Sequence, residues 1–486
     1  MNRQIRIGEE ASRCLLCLNA PCSSVNLNGN PARAIRAIRF GNEKIAGLWV
    51  NNLSDEELDK AEKACIHYDR PIRIKQIAKQ LKHADDLEWK KKSLEIEFCG
   101  IKCENPFFLA SSAICTNYDM VARAFEAGWA GVFYKTICMQ DINEVSPRFD
   151  AVTDHNNSDF YGFRNMEQLS ENPVREDFEI LNKLKKNFPS KIVVASIMGQ
   201  TEKQWIVLAK MAEKAGADAI ELNFSCPQMR LAGMGSDVGQ NPELVTFFTS
   251  YVKRNVSIPV IPKMTPNITH INKPAMGAYF AGADAISAIN TIKSITMNPL
   301  SAVSQKFTVS GYSGRAVKPI ALRFIYEMAA NPLLKKIQLS GVGGIENWKD
   351  GLEFIKLGCR NLQVCTAVMQ YGYRIIDDLV DGLKVYMAER NIDRLEQIVG
   401  EDINKFVSPT NLDRKSVVYP KFNKDKCMGC GRCFISCHDG GHQAIKFDNE
   451  LRQPHLIGKK CVGCHLCRLV CPANAIDVSN RVEKIK

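Results

Sequence analysis

The sequence predicts an α/β fold, a (β/α)8 TIM barrel, with a small α-helical domain before it and a small cysteine-rich domain after it. Three observations carry this. Between residues 94 and 395 short apolar runs alternate with amphipathic helical patterns eight times, as barrels require. The last part of the chain holds two cysteine runs of identical spacing. The first part combines helical spacing with three closely set cysteines. These observations divide the chain into residues 1–85, 94–395, a linker at 396–419, and 420–486.

In residues 1–85, "PARAIRAIRF" and "SDEELDKAEKAC" have helical periodicity, and Ser54 is placed to cap the second helix. "RCLLCLNAPC" supplies Cys14, Cys17 and Cys22, and Cys65 follows in "EKACIHYDRP". Three close thiols and one distant one suit a third iron–sulfur cluster. A helical domain with free thiols is the alternative.

In the barrel region the expected strands are "PFFLASS", "AGVFYKT", "KIVVASIM", "AIELNFS", "PVIPKMT", "AISAIN", "IQLSGVG" and "NLQVCTA". Helical patterns such as "EKQWIVLAKMAEKAGA" and "NWKDGLEFIKLGC" lie between them. In "AFEAGWAGV", "KAGADAIEL" and "FAGADAISA" a glycine closes a helix just before a strand begins. A doubly wound sheet is the alternative architecture. The dinucleotide fingerprint is missing, because "GMGSDVG" has the wrong spacing and no strand before it. Barrel chemistry gathers at the C-terminal ends of the strands. There stand Ser111, Lys135, Thr136, Asn223, Cys226, Lys263, Asn290, Gly343, Gly344, Cys365 and Thr366. Lysines inside a barrel call for an anionic partner, and the amides of "SGVGG" (340–344) can cradle a phosphate. A flavin mononucleotide, FMN, meets both demands.

At the C-terminus, "CMGCGRCFISC" (427–437) and "CVGCHLCRLVCP" (461–472) are both C-x2-C-x2-C-x3-C. This is the run of bacterial ferredoxins, in which the fourth cysteine serves the other cluster. The region is therefore expected to be a ferredoxin-like 2[4Fe-4S] domain. Cys427, Cys430, Cys433 and Cys471 would hold one cluster; Cys461, Cys464, Cys467 and Cys437 would hold the other. Zinc would favour two pairs of ligands. His438 stands where proline is usual, which alters the turn but not the ligands.

The chain has 486 residues and 19 cysteines, with no apolar run of membrane-spanning length. Its N-terminus has no apolar signal core, so a cytoplasmic protein with reduced thiols is expected. The net charge of +11 is spread along the chain without a nucleic-acid-binding signature. A solvated basic surface or an acidic protein partner accounts for it.

"NPFFLASS", "AFEAGWAGVFYKT", "VSPR", "ELNFSCP", "PKMTPN", "AINT", "SGRAVKPIALR", "VGGI" and "LQVCTA" occur in order, followed by the paired cysteine runs. Over residues 94–480 the chain resembles the dihydroorotate dehydrogenase superfamily, and within it the pyrimidine-reducing part of the dihydropyrimidine dehydrogenases. The resemblance implies that Ser111, Lys135, Thr136, Lys263, Gly314, Gly343, Gly344, Ile345, Cys365 and Thr366 hold FMN. It implies that Asn165, Glu167, Asn223, Ser225, Asn290 and Thr291 bind uracil or thymine, and that Cys226 is the general acid. The residue chemistry agrees: asparagine presents both a donor and an acceptor to an amide-like ring edge. A thiol is largely protonated near neutral pH and can deliver a proton to C5 after hydride reaches C6.

"NMEQLSEN" (165–172) looks like the pyrimidine branch and lacks the pattern usual in dihydroorotate enzymes. The N-terminus looks like a reduced form of a two-cluster helical domain. Its one retained ligand set is Cys14, Cys17, Cys22 and Cys65, and Asn26 replaces a ligand of the lost cluster. The resemblance further implies a partner subunit with FAD and an NAD(P)H site, or a ferredoxin-like donor, in a hetero-oligomer. A dihydroorotate dehydrogenase-like or other heterocycle oxidoreductase, and an electron-transfer subunit without its own turnover, are the alternatives. Cys99, Cys103, Cys115, Cys138 and Cys359 are read as ordinary thiols.

Overall fold

The computed structural model describes residues 6–25, 28–81, 88–153, 160–227, 234–296 and 308–484. Asn26 lies outside them. The chain forms two compact units, Met1–Asn404 and Lys405–Lys486.

In the first unit eight parallel strands close a barrel: β1 Phe107–Leu109, β2 Gly131–Phe133, β3 Ile192–Ile197, β4 Ala219–Asn223, β5 Val260–Lys263, β6 Ala285–Ala288, β7 Gln338–Val342 and β8 Cys359–Val364. Seven fall within the expected stretches, and β8 begins two residues before its stretch, at Cys359. Every strand pairs with its chain neighbours and β8 returns to β1, so the doubly wound alternative is excluded. The strands are almost wholly buried, because helices cover the outside and side chains fill the inside. Asn117, Thr201, Asn241 and Asn347 cap the helices that follow strands or loops. Gly128 and Gly216 close theirs in the left-handed region. In the third case the helix ends at Phe280, and Gly282 turns the chain.

A four-stranded antiparallel sheet lies on the loops after β2 and β6. Its order is Ile292–Ser294, Ser310–Ser313, Phe160–Asn165, Phe149–Thr153. The sequence reading did not anticipate it.

The N-terminal segment is helical, with helices at Pro31–Arg39, Asp55–Lys63 and Ile74–Gln80 among others. Ser54 and Glu57 form a reciprocal cap. Ile35, Ile38, Leu58, Ile72 and Ile77 belong to a separate apolar core. The segment packs on the last barrel helix, Ile375–Glu389: Arg36 pairs with Asp378 at 2.7 Å, and Asn42 donates to the Asp378 carbonyl at 2.8 Å.

Residues at the expected linker include short turns at Ile403–Lys405 and Pro409–Asn411. The second unit consists of three two-stranded antiparallel ribbons and helices Arg432–Gly440 and Leu466–Leu469. The first of these helices runs on through His438, where a proline would have stopped it. Among the described residues no helix is long and apolar enough to cross a membrane.

Candidate active site and cysteine cages

A cavity opens at the C-terminal ends of the barrel strands, with about 1090 Å³ of empty volume including its mouth. Cofactor sites commonly occupy roughly 300–1,000 Å³. Ser111, Lys135, Thr136, Lys263, Gly314, Gly343, Gly344, Ile345, Cys365 and Thr366 all line it. So do Asn165, Glu167, Asn223, Cys226, Asn290 and Thr291. Ser225 is the exception. It is fully buried and bridges the two asparagines from behind: its hydroxyl donates to Asn223 Oδ1 at 2.8 Å and accepts from Asn290 Nδ2 at 2.8 Å.

These bonds belong to a longer wall. Asn223 Nδ2 donates to Thr136 Oγ1 at 2.9 Å, and that hydroxyl lies 3.1 Å from Ser111 Oγ and 2.9 Å from Ser196 Oγ. The amide orientations of Asn223 and Asn290 are thereby fixed before any ligand arrives. Cys226 is buried in the loop after β4, and its carbonyl accepts from Ser236 N at 2.9 Å.

The cavity floor is polar, unlike the apolar layers usual in such barrels. Glu221 is fully buried and accepts from Ser196 Oγ at 2.9 Å. Lys263 Nζ lies 3.6 Å from Glu221 Oε1 and 3.4 Å from Gln363 Oε1. Gln363 Nε2 donates to Ser287 and Ser340 at 2.9 Å each. The floor thus holds the Lys263 ammonium at the base of the cavity. At the side, Lys135 Nζ donates to Glu167 Oε1 at 2.9 Å, and Arg148 is 3.6 Å from the other Glu167 oxygen. The antiparallel sheet contributes Phe163, Asn165, Tyr312 and Ser313 to the rim.

Glu221, Gln363, Ser196 and Arg148 were missed in the sequence. The signal available for the first three was a polar residue inside an otherwise apolar strand.

Gly343 and Gly344 follow β7 with φ of +126° and +75°, and Gly314 has φ of +94°. A Cβ on Gly344 would stand 2.8 Å from Lys318 N and 3.0 Å from Gly314 O. Only bare backbone fits here, which lets amides approach an anion closely. Thr366 closes this corner through a 2.9 Å bond to Ser313. A glycine cradle beside two buried lysines, in a cavity of this size, fits a phosphate-bearing flavin.

The cysteines form three further cavities of similar size. Cys427, Cys430, Cys433 and Cys471 line one of about 360 Å³. Cys437, Cys461, Cys464 and Cys467 line one of about 340 Å³. This is the split that the ferredoxin pattern predicts. Cys14, Cys17, Cys22 and Cys65 line the third, about 390 Å³, inside a shell of Ile35, Ile72 and Ile74. Among the described residues no three potential ligands converge on a single-ion site. Thiols spread around a cavity suit a multi-atom cluster instead. Burial pushes Cys22, Cys433 and Cys467 up to about 11. These three thiols stay neutral near pH 7 until iron binds them as thiolates.

By contrast Cys103 and Cys115, pushed up to about 12 by burial, sit in the main core. Cys365 donates to Ser112 Oγ at 3.1 Å.

A barrel with a glycine cradle and buried lysines at its strand ends, in one chain with paired ferredoxin-type cages, defines a flavin- and iron–sulfur-dependent oxidoreductase. The chain belongs to the dihydroorotate dehydrogenase family, whose model matches residues 93–387; a 4Fe-4S dicluster domain model matches residues 421–478. It is 50% identical over 393 residues to the NAD-dependent dihydropyrimidine dehydrogenase subunit PreA of Escherichia coli, covering 80% of this chain and 95% of that one. It is 35% identical over 339 residues to the chloroplastic dihydropyrimidine dehydrogenase (NADP(+)) of Arabidopsis thaliana, 66% of this chain and 80% of that one. It is 38% identical over 316 residues to the catalytic subunit of dihydroorotate dehydrogenase B (NAD(+)) of Pyrococcus abyssi, 63% of this chain and 98% of that one. Residues before 93 lie outside both family matches.

Proposed function

We propose that the protein reduces uracil and thymine to their 5,6-dihydro forms, in the cytoplasm, with electrons passed through [4Fe-4S] clusters to FMN; two clusters are C-terminal and a third is N-terminal. The observation that carries the reading is the Asn223–Ser225–Asn290 relay beside Cys226. It offers amide donors and acceptors to a neutral, amide-like ring and holds one thiol at the same wall. Support comes from the identity to the two dihydropyrimidine dehydrogenases.

FMN would lie with its phosphate at Gly314, Gly343, Gly344 and Thr366 and its ring near Lys135 and Lys263; when bound it supplies the hydride. Asn165, Glu167, Asn223, Asn290 and Thr291 orient the ring, with Ser225 fixing the asparagines. Cys226 Sγ–H gives its proton to C5 and, as thiolate, takes it back in reverse. Electrons reach the chain from a partner subunit with FAD and an NAD(P)H site. In keeping with a partner, the E. coli relative is named as a subunit.

The test is anaerobic. Flavin in the purified protein should bleach with dihydrouracil and not with dihydroorotate. Bleaching with dihydroorotate alone would overturn the reading.

A further inference from the structure

The N-terminal cage is fastened to the wall of the barrel cavity by two arginines. Arg39 Nη1 donates to the Cys14 carbonyl at 2.9 Å. Arg374 donates to the Leu16 carbonyl at 2.5 Å and to the Cys17 carbonyl at 3.5 Å. Arg374 belongs to the barrel: it follows helix Thr366–Tyr371, and its Nε donates to the Tyr371 carbonyl at 3.1 Å. Arg39 reaches the Tyr371 hydroxyl at 3.4 Å and lies 5.2 Å over its ring. Phe40 packs edge-on against that ring at 5.2 Å. Leu16, between two cage cysteines, is buried in the barrel's own core, and Cys14 touches both that core and the helical one.

The opposite end of the same helix is cavity wall: Thr366, Ala367 and Met369 line the pocket. Six helical residues span only about 9 Å. The cage loop and the cavity are therefore joined by one short helix, through hydrogen bonds and packed side chains.

We propose that the N-terminal cage exchanges electrons directly with the cavity of its own barrel, through the segment Met369–Arg374. Arg39 and Arg374 act as positioning residues that fix the cage there and raise its reduction potential. The inference rests on the flavin and third-cluster reading above. One electron crosses per event; the cage is oxidised by one unit and the cavity's cofactor reduced by one. Two crossings and two protons match the saturation of one pyrimidine double bond, and the donor partner resupplies the cage. The effect on potential follows from charge. A cluster gains negative charge on reduction, and guanidiniums bonded to its ligand loop stabilise that state.

The experiment uses the reconstituted holoenzyme and reads each cluster by EPR during a redox titration. Cys17→Ser identifies the N-terminal signal by its loss. Arg374→Gln should lower the potential of that signal alone, by about 59 mV, equivalent to about tenfold less reduction at a fixed potential. Arg374→Lys should restore part of it. Arg39→Gln, which leaves Arg374 in place, should shift in the same direction. The second reading uses protein whose C-terminal clusters are removed by Cys430→Ser with Cys464→Ser. Dihydrouracil should then raise the N-terminal signal to the level its measured potential allows, more slowly with Arg374→Gln.

A silent N-terminal signal beside a bleached flavin overturns the direct exchange and leaves the pyrimidine reading standing. Unchanged potentials in both arginine variants overturn their tuning role. Unchanged iron content in Cys17→Ser removes the third cluster and this proposal together. Absence of any flavin response would instead fail the reading on which both rest.

Discussion

The barrel cavity and the cysteine cages are built on opposite principles. The cavity is walled by polar side chains bonded to one another or to groups behind them: Ser111, Thr136, Asn223 and Asn290 on one side with Ser225 behind, Lys263 and Gln363 below with Glu221 behind. The cages pair their thiols with apolar side chains, Ile35, Ile72 and Ile74 in one and Ala444 and Ile445 in another. Orienting a heterocycle and moving a proton need fixed dipoles. Holding a cluster needs thiolates and a shell that controls solvent and dielectric. The two kinds of site should therefore fail independently.

The largest expected effect is on the proton side. Cys226→Ala should lower turnover by about 10²–10⁴-fold, the usual worth of a general acid, while flavin absorbance and iron content stay at wild-type levels. Near-full activity would remove Cys226 from the reaction. On the electron side, Cys65→Ser should abolish the N-terminal cluster and lower iron content by about a third on the three-cluster reading, with flavin still bleached by dihydrouracil. Loss of flavin as well would show that the two sites are not separable.

A finer cut separates charge pairing from chemistry within the cavity. Lys135 is 3% exposed and its ion-pair partner Glu167 is 10% exposed. Glu167→Gln leaves a buried ammonium without its counter-ion, which typically costs about 3–5 kcal/mol. The double variant Lys135→Met with Glu167→Gln should recover most of that in chemical denaturation while remaining inactive. If the single and double variants are equally stable, the pair is not coupled in the folded protein.

How much of this was legible depends on sequence distance. The C-terminal cage ligands lie within two short runs, so spacing alone assigned Cys437 to the second C-terminal cage and Cys471 to the first. The barrel strands were legible because parallel strands buried on both faces read as apolar runs. The antiparallel sheet was not: Phe149–Thr153 is half exposed and Phe160–Asn165 alternates weakly, so neither stands out. The pairing of Lys135 with Glu167 and of Lys263 with Glu221 was also hidden. Each lysine was identified by its strand end, but its partner sits on another element, and no local periodicity links them. Ser225 shows the same limit: motif position marked it as a binding residue, whereas its contacts make it a brace.

The smallest effect concerns a carboxyl that serves neither kind of site. Asp177 is fully buried under the loop after β2. Burial pushes its pKa up to about 6, although Asn172, Ser170 and Tyr134 all donate to Oδ1. Its Oδ2 has no hydrogen-bond partner among the described residues, which is where the proton would sit. In the unfolded chain an aspartate titrates near 3.9. Between these values the folded state holds a proton that the unfolded state has lost, so stability falls as pH rises from about 4 to about 6 and is level above. One such group contributes about 2–3 kcal/mol across that window. Asp378 and Asp381, also raised to about 6 chiefly by burial, act with the same sign. Asp177→Asn should therefore reduce the slope without removing it. Urea denaturation between pH 4.5 and 7, followed by the fluorescence of buried Trp129 and Trp205, measures it. An unchanged slope in Asp177→Asn would mean that Asp177 is ionised in the folded barrel, with its three donors outweighing burial.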